Sequence, residues 1–150
     1  MVHALKEIWR VLTPGGWLLD VRPLAANAPL EIVAGSQVWR AGRVDEAGGL
    51  GDDHAANEAV RTVVRDGWFV CERQKRFEYA WYWDTLDELQ THIAERWSNS
   101  VKMPAAVGAE AARLLAAAGT EAHVRLRLTL TIARYRTSLP GQFVSDEQSM

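Results

Sequence analysis

The chain has 150 residues, 48% of them apolar and 24% charged, which is the make-up of one globular domain and excludes disordered, collagen-like and disulfide-scaffold classes. Seventeen Lys plus Arg against nineteen Asp plus Glu leave a net charge of -2, so no broad positive field gathers nucleic acid or an anionic membrane, and neither is an expected partner. Cys71, the single cysteine, can build neither an internal disulfide nor a CxxC pair; with no apolar run near the ~18 residues of a membrane span and no signal-peptide core in the first residues, a cytoplasmic location is expected.

Leu5, Ile8, Trp9 and Leu12 recur at helical spacing and Thr13-Pro14-Gly15-Gly16 stops the pattern, which predicts a helix from about Val2 to Leu12. Trp17-Leu18-Leu19-Asp20-Val21, ended by Arg22-Pro23, is a short apolar run that predicts a strand buried on both faces, as in a parallel sheet. Glu31 to Val44, broken at Gly35-Ser36 and Ala41-Gly42, predicts a short hairpin or irregular excursion, then a loop over Ala47 to Asp53. Ala56, Ala59, Val60, Val63 and Val64 predict a second helix from about Asp53 to Asp66, closed by Gly67.

From Trp68 to Trp83 the pattern alternates, with Phe77, Tyr79, Trp81 and Trp83 on one face, and predicts a long strand whose aromatic face belongs to the core. Seven tryptophans in so short a chain need burial or a partner. Thr85-Leu86-Asp87-Glu88 has the form of a capping box ahead of Leu89, Ile93 and Trp97, and an Ala-rich helix is expected over Pro104 to Ala118, closed by Gly119. Val124, Leu126, Leu128, Leu130 and Ile132 alternate with Arg125, Arg127, Thr129 and Thr131, which predicts a final long strand with a solvated polar face. A polar tail is expected over Pro140 to Met150.

The segment Ala4-Leu5-Lys6-Glu7-Ile8-Trp9-Arg10-Val11-Leu12-Thr13-Pro14-Gly15-Gly16-Trp17-Leu18-Leu19 closely resembles the helix, Pro-Gly-Gly turn and fifth strand of class I S-adenosylmethionine-dependent methyltransferases. The resemblance covers about twenty residues, and the downstream order of elements agrees with that fold's last three strands. It implies an α/β fold: the C-terminal half of a doubly wound, Rossmann-like sheet, with one parallel-type strand and a long antiparallel strand pair packed with helices over residues 1–139. It also implies S-adenosylmethionine as cofactor, yet the family's glycine-rich cofactor turn precedes the matching segment and only Met1 to His3 precede it here. Cofactor binding by this chain alone is therefore not expected. Gly49-Leu50-Gly51 follows a polar loop instead of a buried strand and reads as a flexible connection.

In the resembled family the C-terminal edge of this strand faces the methyl acceptor, which makes Asp20, Arg22 and Asn27 candidate substrate-binding residues; Asp20 and Arg22 also suit a structural ion pair. Trp81, Tyr82, Trp83 and Asp84 end the aromatic strand, and Trp83 is the further candidate for an acceptor pocket. His3, His54, His92 and His123 lie at no metal-ligand spacing, and no serine sits in a nucleophile elbow. Arg125, Arg127, Arg134 and Arg136 suit a solvated strand face better than a basic binding stripe.

Three functions follow: a partial methyltransferase supplying the acceptor side of the fold without catalysis alone, a binding or dimerisation module, or an independent small α+β enzyme. The strand missing beside the first one implies an uncovered edge next to the apolar face of the N-terminal helix, Trp9 included, and hence a homodimer through the N-terminal helix and strand.

Overall fold

The structure, a computed structural model, describes residues 1–24 and 26–138. The tail expected over Pro140 to Met150 lies outside the described residues. The elements are α1 (Val2–Val11), β1 (Trp17–Pro23), β2 (Pro29–Ala34), β3 (Gln37–Arg43), α2 (Ala47–Arg65), β4 (Phe69–Trp83), α3 (Leu86–Arg96), α4 (Ala105–Ala118) and β5 (His123–Thr137). Five strands form one antiparallel sheet in the order β1-β5-β2-β3, with β4 also paired to β5. The fold is thus α/β, but β1 pairs with an antiparallel neighbour, not with a parallel one.

The chain divides into two compact units. The first comprises, among the described residues, 1–22, 54–76 and 131–138. Thr137 N–H donates to Gly16 O at 2.9 Å and Ser138 N–H to Trp68 O at 3.1 Å, so the end of β5 lies between the starts of β1 and β4. The apolar stripe of α1, Leu5, Ile8, Trp9 and Leu12, packs with Val60, Val63 and Val64 of α2 and with Phe69, Ala133 and Tyr135 of the sheet. Trp9 meets Trp68 edge-on at 4.8 Å. The α1 face expected to be bare is therefore covered from within its own unit.

The turn between α1 and β1 forms as its residues dictate. Gly16 N–H donates to Thr13 O at 2.8 Å, with Pro14 and Gly15 between them and Gly15 at φ +75°, the arrangement of a type II turn. A side chain on Gly16 would bring its Cβ to 2.8 Å from Thr13 O, so the two glycines are required for different reasons.

β1 is not buried on both faces. Leu18, Asp20 and Arg22 point inward, while Trp17, Leu19 and Val21 are 55%, 65% and 52% exposed. The strand with four consecutive buried residues is β2, Leu30 to Val33, which is flanked by β3 and β5 and belongs to the second unit.

That second unit comprises residues 23–53 and 77–130. Its hairpin turns at Gly35, φ +56°, and Ser36, as the break in the sequence predicts. Leu30, Ile32, Leu89, Val124 and Leu126 form the core with α3 and α4 packed on it. Thr85 Oγ1 accepts the Glu88 N–H at 3.2 Å and Glu88 Oε2 accepts the Asp84 N–H at 3.0 Å, so the reciprocal cap forms one residue offset from the ideal box. Gly42 lies against α4, where a Cβ would come to 2.7 Å from Val107 Cγ2.

Three expectations fail for identifiable reasons. The aromatic face of β4 is not core: Phe77, Tyr79 and Trp81 are exposed, and only Trp83, where His92 and Trp97 pack on the end of the strand, joins the core cluster. In β5 the buried positions are even-numbered at Val124 and Leu126 but odd-numbered at Thr131, Ala133, Tyr135 and Thr137, so Ile132 is exposed. The arginines of β5 are not simply solvated. Arg125 and Arg127 converge on Glu31, and Arg134 and Arg136 pair with Glu72.

α2 begins at Ala47, six residues before the predicted start. Gly48 lies so close to the loop after α3 that a Cβ would fall 2.2 Å from Asn99 O, and a glycine-rich first turn is what allows that approach.

Candidate functional site

The second unit holds a cavity of about 310 Å³. Pro23 and Leu24, which leave β1, and the following Asn27 and Ala28 form one side. The end of β3 and the start of α2 supply Arg43, Glu46, Gly49 and Asp53; Trp97, Ser100 and Val101 come from the loop after α3, and Leu126 to Thr129 from β5.

Backbone hydrogen bonds fix these pieces. Leu24 N–H donates to Thr129 O at 2.8 Å, Val44 N–H to Ala28 O at 3.0 Å, and Val101 N–H to Trp97 O at 2.8 Å. A wall held in this way keeps its shape before any ligand arrives.

Asn27 and Glu46 are the hub of the polar side. Glu46 N–H donates to Asn27 Oδ1 at 3.0 Å, and Glu46 Oε2 accepts the Ala28 N–H at 2.9 Å. Arg43 Nη1 donates to the Asn27 carbonyl oxygen. Burial lifts the Glu46 carboxyl above the ordinary carboxylate range; the Ala28 N–H opposes that and the negative charge of Asp53 adds to it.

Of the predicted site residues, Asn27 alone lines this cavity. Asp20 and Arg22 belong to the first unit and form an ion pair at 2.8 Å, with Arg22 Nη1 also donating to Asn57 Oδ1 at 2.7 Å. Trp83 lies in a shallow recess with Asp87, Glu88, Thr91, His92 and Glu95. Its ring meets Trp97 edge-on at 6.2 Å, and His92 sits 4.4 Å from the same Trp97 ring. Trp83 therefore reaches the cavity only through Trp97.

Arg43, Glu46, Asp53, Trp97 and Thr129 escaped the sequence reading as site residues. One signal was present: Glu46, Gly49 and Asp53 are spaced three and four apart, on one helical face. That face goes unseen if the helix is taken to begin at Asp53.

The Gly49-Leu50-Gly51 segment offers S-adenosylmethionine no cradle. Gly49-Leu50-Gly51 lies within α2, and the N–H groups of Gly49 and Leu50 donate to Glu46 O at 2.8 and 3.1 Å, so they are not turned to a ligand phosphate or carboxylate. Among the described residues, no group of three or more His, Cys, Asp or Glu could hold a metal ion. No described helix is long and apolar enough to cross a membrane. Comparison with protein-family models, with curated proteins and with solved structures gives no match for this chain.

Proposed function

We propose that the chain is methyltransferase-like and supplies the acceptor side of such a fold, with binding of the acceptor as its own contribution. The observation that carries this reading is the cavity itself: Asn27, which the resemblance sets at the acceptor edge, lines it together with Pro23 and Leu24. Two further observations support it. The Pro-Gly-Gly segment that carries the resemblance adopts the turn its residues imply, and β5 lies antiparallel between the starts of β1 and β4, as suits a sheet finished by an antiparallel pair.

No chemical step is assigned to a methyl donor, because the described residues offer it no cradle. What the chain's own residues supply is a shaped recess, a fixed amide at Asn27 and a half-buried carboxylate at Glu46.

The genomic sequence immediately upstream of Met1 tests the reading. An in-frame strand, glycine-rich turn and helix supports it, and an unrelated reading frame removes it. In calorimetry the 150-residue chain should give no saturable heat with S-adenosylmethionine, whereas a low-micromolar dissociation constant would mean that the cofactor site has been misplaced.

A second reading, a dimerisation module, is favoured by one observation. The outward face of β1 presents Trp17, Leu19 and Val21 to solvent, an apolar patch on a short strand.

A further inference from the structure

Phe77, Tyr79 and Trp81 share one face of β4 in the second unit and are 41%, 45% and 39% exposed. Single exposed aromatics are ordinary, but three in a row along one strand make a surface. Tyr79 meets Trp81 edge-on at 5.6 Å, and Trp81 stacks on Trp83 at 6.3 Å with 22° between the planes. His92 lies 5.7 Å from the Trp81 ring and 5.5 Å from that of Trp83, so the row continues into the shallow recess beside α3.

That recess fixes the charge the row can receive at its Trp81 end. Asp87, Glu88 and Glu95 line it and, among the described residues, no Lys or Arg does; Arg96, which follows Glu95, is not part of the lining. Glu88 accepts the Asp84 N–H, whereas Asp87 and Glu95 have no ion-pair partner among the described residues. Arg127 pairs with Glu78, which alternation sets on the other face of β4. Lys75 and Arg76, the nearest cations along β4 itself, stand about 17 to 20 Å of strand before Trp81, twice the screening length of about 8 Å.

We propose that this face of β4 docks an extended polypeptide segment, with an arginine guanidinium laid on Trp81 against Asp87 and Glu95 and apolar side chains along Tyr79 and Phe77. The inference goes beyond the acceptor-side reading and does not rest on it.

Length, charge and ring chemistry select that occupant. From Phe77 to Trp83 the row covers about 20 Å of strand, more than a single-ring ligand spans and the reach of a short extended peptide. A nucleic-acid strand would stack its bases on such rings, but its phosphates at the Trp81 end would meet three carboxylates and no cation. A neutral chain would cover those carboxylates and leave them unpaired. A guanidinium stacks on an aromatic face and pairs with a carboxylate, so both halves of the surface serve the same side chain.

The test is a titration of the isotope-labelled full chain with the peptide Ser-Leu-Ser-Leu-Ser-Arg-Ser and with its Gln and Glu counterparts at the Arg position, followed at the Trp81 and Trp83 indole resonances. The Arg peptide should shift both saturably in the millimolar range or tighter, the Gln peptide should bind about fivefold or more weakly, and the Glu peptide should not bind. Glu95→Gln should weaken the Arg peptide about threefold or more at low salt, while Glu110→Gln, the same charge change on α4, should leave it unchanged. If the Glu95 variant loses spectral dispersion, Asp87→Asn serves the same comparison.

Equal binding of the Glu peptide, tighter binding of an oligothymidylate or a cello-oligosaccharide, an affinity untouched by both carboxylate substitutions, or no saturable shift in the folded chain would each overturn the proposal. A dimer that Tyr79→Ser disperses would overturn it too, because a second copy would then be the occupant of this face.

Discussion

Glu31 and Arg125 stand directly opposite each other across β2 and β5, and Arg125 places two donors on one carboxylate oxygen, Nε at 2.9 Å and Nη2 at 2.7 Å. Arg127 Nη2 reaches the other oxygen at 3.1 Å, and Arg40, the register partner of Glu31 in β3, comes to 3.8 Å. The Glu31 side chain is 3% accessible, against 19% and 26% for Arg125 and Arg127. The carboxylate is thus the buried member and the guanidiniums keep part of their hydration, an asymmetry that decides which substitution does most damage.

Replacing Glu31 by Gln leaves arginines that can turn to water and should cost about 1 to 3 kcal/mol. Replacing Arg125 and Arg127 together by Met leaves the buried carboxylate with only the longer Arg40 contact and should cost more, about 3 to 5 kcal/mol. Burial pushes the Glu31 carboxyl up, but the hydrogen bonds and charges of Arg127 and Arg125 outweigh it and hold the group below its usual 4.5. A depressed carboxyl contributes stability that is fully present above the unfolded-state value and is lost as pH falls through the folded-state one. The Glu31→Gln deficit in denaturant melts should therefore be complete at neutral pH and fade in acid; a deficit constant with pH would show that charge is not its source.

Glu46 should behave in the opposite sense. Burial raises its carboxyl, so the ionised form is disfavoured in the folded chain once pH exceeds the ordinary value of 4.5. Glu46→Gln removes that charge and keeps an acceptor for Ala28 N–H, so the variant should melt higher than the wild type at pH 7 and equal it below pH 4.5. A lower melting temperature at pH 7 would show that the carboxylate is satisfied by its surroundings.

For the turn before β1, two glycine substitutions fail by different routes. Gly15→Val puts a β-branched residue at φ +75°, a cost of roughly 1 to 3 kcal/mol with no contact made worse. Gly16→Val instead drives a side chain against Thr13 O, the acceptor of the turn's own hydrogen bond. Both should lower the melting temperature. At position 15, Asn should recover part of the loss, because it tolerates the left-handed region, and at position 16 it should recover none.

Association of the chain, if it occurs, should run through β1 and not through α1. Light scattering should show that Leu19→Lys abolishes self-association without lowering the melting point, since Leu19 is exposed. Trp9→Glu should instead destabilise by roughly 2 kcal/mol or more, because Trp9 packs within its unit against Trp68. A stable monomer at high micromolar concentration would remove the dimerisation reading.

Local signals are legible in the sequence and long-range ones are not. The α1 stripe, the Pro-Gly-Gly turn, the Gly35-Ser36 hairpin and the Thr85 cap each depend on residues within a few positions of one another, so spacing alone reveals them. The exposure of Trp17, Leu19 and Val21 depends on what covers a sheet face, and hydrophobicity does not record that. Nor does alternation announce a change of phase: Ile132 continues the even-numbered pattern of Val124 and Leu126, although burial has passed to Thr131 and Ala133. Of the site, Asn27 is legible from its place after β1, whereas Glu46 is hidden by Gly48 and Gly49, which read as loop until the close approach to Asn99 explains them.

β5 also sets the order in which the molecule can be made. His123 to Leu126 pair with β2 in one unit and the end of β5, to Thr137, lies between β1 and β4 in the other, while Glu31 waits 94 residues for its principal partner. Neither unit can acquire its native sheet while His123 to Thr137 is still being synthesised. The nascent chain therefore emerges with β1, β2 and β4 lacking the strand they share, and acquisition of the native sheet in both units is postponed until β5 has been made. A ribosome-bound chain halted before His123 should remain sensitive to protease throughout, and a chain extended until Thr137 has left the ribosome should gain protection of both units in the same interval.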